Sequence, residues 1–259
     1  MMRSGMKRIP FGLGLLLAAL PLGAQVSESP TTVEPGQWLV EADLYSVAFD
    51  RHTYQRDGVH YRSTYVGSWL LSTGVAAKVD VQCGLETWRE ERASGDSWGE
   101  RGRGVGDAWL RAKWNFAGDE ESGPAWALLP YVKLPLADRD IGNGRGEPGC
   151  ALVYGRPVRN DRWCNGTLGV DWLDDGGGGR SLGYYGSLAL TWPCGQVCSA
   201  YAEAVAWVNA EATREWSGEL GLGLTRDFGR GIFLDLAVYV GVTRAAPDVT
   251  PVLRVVWPL

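Results

Sequence analysis

From Trp216 to Trp257 apolar and polar residues alternate one for one, and this narrows what the chain can fold into more than any other feature. The run SGELGLGLT sets Leu220, Leu222 and Leu224 against Glu219, Gly221, Gly223 and Thr225. IFLDLAVYVG repeats the scheme, with Ile232, Leu234, Leu236, Val238 and Val240 against Phe233, Asp235, Ala237, Tyr239 and Gly241. A period of two is the mark of a strand. Strands with a charge in the middle of one face and only aliphatics on the other need a wet side and an oily side, and a transmembrane β-barrel supplies both.

The N-terminus agrees. MMRSGMKR is basic, Ile9 to Leu22 is apolar, and Leu22-Gly23-Ala24 offers small residues for cleavage before Gln25. This pattern predicts a cleaved signal peptide over 1–24 and export. The apolar run is short for a spanning helix, which needs about 20 residues. Removal of 1–24 takes away Arg3, Lys7 and Arg8, so 25 basic side chains less these three leaves 22 against 30 acidic ones. A net negative chain is a poor partner for nucleic acid. The 36 Gly and 13 Trp fit a curved sheet with aromatic residues at a membrane–water boundary.

After a polar lead-in over 25–35, expected to be periplasmic, the barrel is expected over 36–259. The fold predicted is all-β, an antiparallel transmembrane barrel of about twelve strands. These fall at about 36–49, 61–73, 78–88, 104–116, 124–136, 149–157, 163–173, 182–192, 199–208, 216–226, 231–242 and 249–257. Connections at 50–60, 89–103, 137–148 and 174–181 are long or rich in glycine and charge. Those at 74–77, 158–162, 193–198 and 227–230 are tight, as expected of the periplasmic side. Pro130 predicts a bulge, because a closed barrel has no free edge to forgive a missing N–H.

Parity gives facing. Val81, Leu85, Leu110, Trp114, Leu188 and Leu190 are expected to face lipid. Glu41, Asp43, Asp80, Asp107, Arg111, Lys113, Lys133, Glu203, Glu219, Asp235 and Arg254 are expected to face the lumen, where charges at membrane depth meet water or one another. The basic members gather on the fourth and fifth strands, and most acidic ones gather opposite. That arrangement suits a selectivity constriction or a structural salt-bridge network, with Asp80 and Lys113 as an expected cross-strand pair.

Three stretches resemble a known family. GVGDAWLRAKWNF from Gly104, ALLPYVKLPLADRDIGNG from Ala127 and FLDLAVYVGVTRAAPDVTPVLRVVWPL from Phe233 are similar to the outer-membrane transporter family named for the meta-pathway of phenol degradation. The resemblance implies a bacterial outer-membrane barrel of twelve strands with a transport role. One departure is the C-terminus. Such barrels commonly end on an aromatic residue read by the assembly machinery, and this chain ends Trp257-Pro258-Leu259.

An enzyme is not expected. A lipase needs a nucleophile, a base and an orienting group within reach, yet the only histidines, His52 and His60, lie in or beside one loop. No zinc-type spacing appears, and the DDGGGG run at Asp174 is too irregular for a calcium repeat, so neither a metal nor a cofactor is expected. Cys194 and Cys198 flank a tight turn and form a candidate disulfide. The function expected is a channel or transporter for small solutes, aromatic or amphiphilic ones among them. A closed or plugged barrel with a structural or surface-binding role is the alternative, and a lipid hydrolase a weaker one. Expected partners are outer-membrane lipid, a small-molecule solute and the barrel assembly machinery.

Overall fold

The computed structural model describes residues 26–51, 59–95, 98–119, 122–159, 161–210 and 216–259. The signal-peptide region and His52 lie outside them. Among the described residues thirteen strands form one antiparallel sheet: β1 Trp38–Asp50, β2 His60–Ala76, β3 Val79–Gly95, β4 Trp98–Gly104, β5 Ala108–Ala117, β6 Ala125–Leu134, β7 Glu147–Val158, β8 Arg162–Asp174, β9 Arg180–Pro193, β10 Cys198–Asn209, β11 Ser217–Asp227, β12 Phe233–Gly241 and β13 Val249–Pro258.

Each strand pairs with its neighbour in sequence except β4 with β5, and β1 pairs with β13, so the sheet closes. β4 and β5 both pair with β3, along its upper and lower halves, and together make one stave. The wall is therefore a closed barrel of twelve staves, and every spanning backbone group can pair within it. The sequence placed 89–103 in a loop. Instead β3 continues to Gly95 and returns as β4, a hairpin that stands above the wall.

Exposure follows the alternation read from the sequence. Val81, Leu85, Leu110, Leu188, Leu222 and Leu236 are exposed on the outer face, and Trp38, Trp114, Trp126, Trp172 and Trp216 are exposed near its two rims. An apolar belt between aromatic girdles is the outer-membrane pattern. The inner face is lined by charged and small residues, and by tyrosines. Four of these tyrosines sit opposite a glycine on the next strand: Tyr131 with Gly149, Tyr185 with Gly169, Tyr201 with Gly223, and Tyr239 with Gly221. A Cβ on any of these four glycines would lie 2.1 to 2.3 Å from the facing ring. The missing side chain is what lets each ring lie flat along the wall.

Two details differ from expectation. Pro130 causes no bulge: the β5–β6 ladder breaks off after Arg111 and Tyr131 and resumes in the same register at Trp114 and Leu128, while the register shift falls at Asn115/Ala117. Facing is not uniform along β1, β2 and β3. A bulge between Asp43 and Tyr45 and Gly67 at φ 66° reverse it, so that Ser68, Leu70 and Ser72 face inward below Gly67 and Tyr61, Ser63 and Tyr65 above it. The DDGGGG run closes its hairpin through the Asp175 carboxylate, which accepts the Gly177 and Gly179 N–H groups at 2.7 and 2.8 Å.

Candidate functional site

The largest departure from expectation is the lead-in. Val26 to Val33 does not trail from the barrel mouth into the periplasm. It enters the lumen and is held there by the wall. Its polar sequence explains why: in the interior several of its backbone and side-chain groups find partners on the wall, as buried polar groups require. The Val26 and Ser27 N–H groups both donate to the Glu203 carboxylate, the first at 2.9 Å. Ser27 Oγ lies 2.9 Å from Ser187 Oγ, and the Glu28 N–H donates to Thr167 Oγ1 at 3.0 Å. Further along, Asn115 Nδ2 donates to the Pro30 carbonyl at 3.2 Å, and the Val33 N–H to Asp80 Oδ2 at 3.0 Å. The segment thus touches β3, β5, β8, β9 and β10, and leaves through a parallel bridge between Pro35 and Gly74.

Glu28 is its electrostatic anchor. The carboxylate is bonded by the Arg111 guanidinium and lies 3.2 Å from Lys113 Nζ. Burial pushes this acid up, but the Arg111 and Lys113 charges outweigh burial and hold it down at about 2.

All the charged residues expected in the lumen line the interior. Asp43, Asp80, Asp107, Arg111, Lys113, Lys133, Glu203, Glu219, Asp235 and Arg254 are buried, and Glu41 lines the internal cavity. Asp80 and Lys113 are register partners, but they do not serve one another. Lys113 turns to Glu28, while Asp80 takes the Val33 N–H and, at 2.9 Å, Gln82 Nε2. Lys133 lies 2.6 Å from Glu147 and 3.3 Å from Asp107. Arg254 donates to Asp43 at 2.8 Å, and Glu203 also accepts the Tyr239 hydroxyl at 2.5 Å. Acidic and basic residues are thus mixed on both sides of the wall, but Arg111 and Lys113 on β5 and Glu203 on β10 stand on separate strands, and the N-terminal segment joins them with a carboxylate toward the first two and N–H donors toward the third.

Sequence reasoning missed three groups. Glu28 was overlooked because nothing local marks it as buried. Arg89 and Glu91, bonded together on the upper part of β3 beside Glu86, were missed because 89–103, rich in charge and without an apolar face, reads as a connection and not as a strand. Arg89 also lies over the Tyr65 ring, 5.1 Å from its centroid. Cys194 and Cys198 are free thiols in the structure, and their turn is closed by the Cys194 N–H donating to the Cys198 carbonyl at 3.0 Å.

Between the segment and the wall, at the end that carries the tight turns, lies a cavity of about 590 Å³ lined by Ser27, Glu28, Glu41, Asp80, Lys113, Phe233, Asp235 and Arg254 among others. Among the described residues no cluster of His, Cys, Asp and Glu is arranged to hold a metal ion.

A family model described as "Putative MetA-pathway of phenol degradation" matches residues 24–257. Among solved structures, an outer membrane channel from Pseudomonas putida F1 superposes with a TM-score of 0.69 at 14% identity, over 89% of this chain and 98% of that one. The translocator domain of the autotransporter NalP from Neisseria meningitidis gives 0.56 at 14% identity, over 95% and 93%. The NanC porin gives 0.51 at 8% identity, over 84% and 97%. No curated protein sequence matches the chain. At such identities these structures share the fold: this is an outer-membrane β-barrel.

Proposed function

Because the chain belongs to the family described as MetA-pathway of phenol degradation, we propose that it is a narrow outer-membrane channel for small solutes, which pass the N-terminal segment along a passage lined with charges of both signs. The observation that carries this reading is the polar cavity beside the segment, continuous with the lumen wall. Twelve strands lie between the eight whose interior side chains fill and the sixteen that leave an open aqueous channel. Asp235 Oδ1, Asp171 Oδ2 and Gln82 Oε1 are buried in this interior with no protein partner among the described residues. Such atoms are suited to water or a polar solute. The residues proposed to set selectivity are Glu41, Asp43, Asp80, Asp107, Arg111, Lys113, Lys133, Glu203, Glu219, Asp235 and Arg254.

Tyr131 and Tyr185, with Trp109 and Trp207, give the outer half of the lumen an aromatic wall. We extend the proposal to small aromatic or amphiphilic solutes on that ground. Outer-membrane lipid around the apolar belt and the barrel assembly machinery are its proposed partners, and the reading is non-enzymatic.

The lodged segment supports a second reading, a barrel kept closed. Single-channel recording in planar bilayers separates the two. The intact barrel should conduct weakly, and a barrel lacking residues 26–33 should conduct several times better. If neither form conducts, the channel reading fails. If only the shortened form does, the intact barrel is a closed one.

A further inference from the structure

We propose that the outer face of the β2–β3–β4 extension is a binding site for the phosphate groups of an outer-leaflet glycolipid of the lipid A type. The argument begins with register. Arg62 on β2 pairs with Arg92 on β3, and Arg92 pairs with Arg101 on β4. Three guanidinium side chains therefore stand side by side on one face of three adjacent strands, spaced by about 4.8 Å per strand. Arg103 lies beside them, in register with Glu90. Phe49 on β1 continues the same row, pairing with Arg62.

The reversal at Gly67 decides which face this is. Above it Arg89 and Glu91 point inward, so Arg62, Glu90 and Arg92 point out. Height follows from the outward column of β3, which reads Val81, Cys83 and Leu85, then Trp88, then Glu90 and Arg92. An apolar run, an aromatic and then charge is the order met on leaving an outer-leaflet hydrocarbon core for its headgroups. The arginines thus stand at the level of lipid phosphates.

The cluster is not self-neutralising. Glu90 is bonded by Arg92 and Arg101 and lies 3.8 Å from Arg62, so one carboxylate faces three guanidiniums, with Arg103 alongside. The three remain well exposed, with 39, 44 and 46% of the side-chain surface accessible for Arg62, Arg92 and Arg101, against 4% for Glu90. Glu90 fixes the forks from beneath and leaves N–H donors for an anion above. Phosphate is the anion that planar forks bind bidentately, and Phe49, exposed beside them, offers an acyl chain an aromatic surface.

The test uses the folded barrel in detergent, with native mass spectrometry reading bound lipid A and dephosphorylated lipid A at equal concentration. Heat-modifiable migration checks that each variant is folded. Wild type should retain lipid A and release the dephosphorylated form. R62Q/R92Q/R101Q should lose at least tenfold in retention, since each basic side chain near an anionic surface contributes about fivefold. R62K/R92K/R101K, which keeps charge and loses the fork, should fall between. Glu90→Gln should retain more lipid A than wild type. Equal retention by the triple glutamine variant, or of the dephosphorylated lipid, overturns the proposal, as does a fall in retention in Glu90→Gln. A dimer that the same substitutions abolish would assign the face to a second copy instead and also overturn it. Should the triple variant fail to fold, the single glutamine variants carry the test, and retention unchanged in all three counts against the site.

Discussion

Glu28 is the residue on which the interior turns, and its protonation gives a direct test of how the N-terminal segment is held. In the docked state its acid sits at about 2 against an ordinary 4.5. A lowered carboxylate stabilises the state that lowers it at every pH above its free value, and that contribution is lost as pH falls through the docked value. Docking should therefore be insensitive to pH from 8 to 5, weaken below about 4.5 and lose this contribution near 2, a difference on the order of 3 kcal/mol. Cysteines placed at Ser29 or Thr31 in a barrel whose five native cysteines are replaced by serine, probed by a small thiol reagent with rates taken relative to a free thiol at each pH, should be slow to label at neutral pH. In Glu28→Gln they should label faster at neutral pH and show no further acceleration between pH 5 and 3. A wild-type profile that rises between pH 8 and 6 would show that another group controls docking. The tyrosine–glycine pairs allow a second residue-scale test. A Cβ at Gly169 would sit 2.1 Å from the buried Tyr185 ring, whereas at Gly123 it meets nothing within 4 Å. Gly169→Ala should cost about 1–3 kcal/mol, the usual range for overpacking, and Gly123→Ala close to none, both read from urea unfolding in detergent.

At the scale of elements, the alternation of long and tight connections predicts which end of each strand faces the cell surface. Tags near Gly95, Gly144 and Gly177 should be reached by membrane-impermeant labels on whole cells, and a tag near Gln196 should not. Labelling at all four would refute the orientation. Most strands were legible because side chains on a half-buried sheet declare themselves with a period of two: β9 to β13 begin and end within two residues of where alternation starts and stops. The β3–β4 hairpin was not, because WGERGRG carries no apolar face once it rises above lipid. Facing beyond Leu44 and Gly67 was lost for a related reason, since a bulge at the first and a positive-φ glycine at the second reverse parity without changing composition. The lead-in was the least legible element. SESPTTVEP has no periodicity, and its partners, Glu203, Ser187, Thr167, Arg111 and Asp80, come from strands far along the chain. Only the closed wall brings them to one place.

For the whole molecule, the wall and the segment together decide what field a permeating ion meets. Arg111 and Lys113 on one side, and Glu203 on the other, are each engaged by the segment, so the intact lumen is less polarised than its wall. Removing residues 26–33 should restore the wall's own field as well as widen the passage. In that shortened barrel, Lys113→Gln should shift the reversal potential toward cation permeability, and Glu203→Gln toward anion permeability. A lumen charge acts there across a narrow, low-dielectric space, so it weighs more than the roughly 1 kcal/mol that two unit charges 4 Å apart exchange in bulk water. In the intact barrel Lys113→Gln should have a smaller effect, because it leaves Glu28 still neutralised by Arg111. The pair of measurements separates two ideas. Reversal potentials unmoved by either substitution in the shortened barrel would remove these residues from selectivity. Equal shifts in both forms would mean that the segment does not screen the wall, and that its role is steric alone.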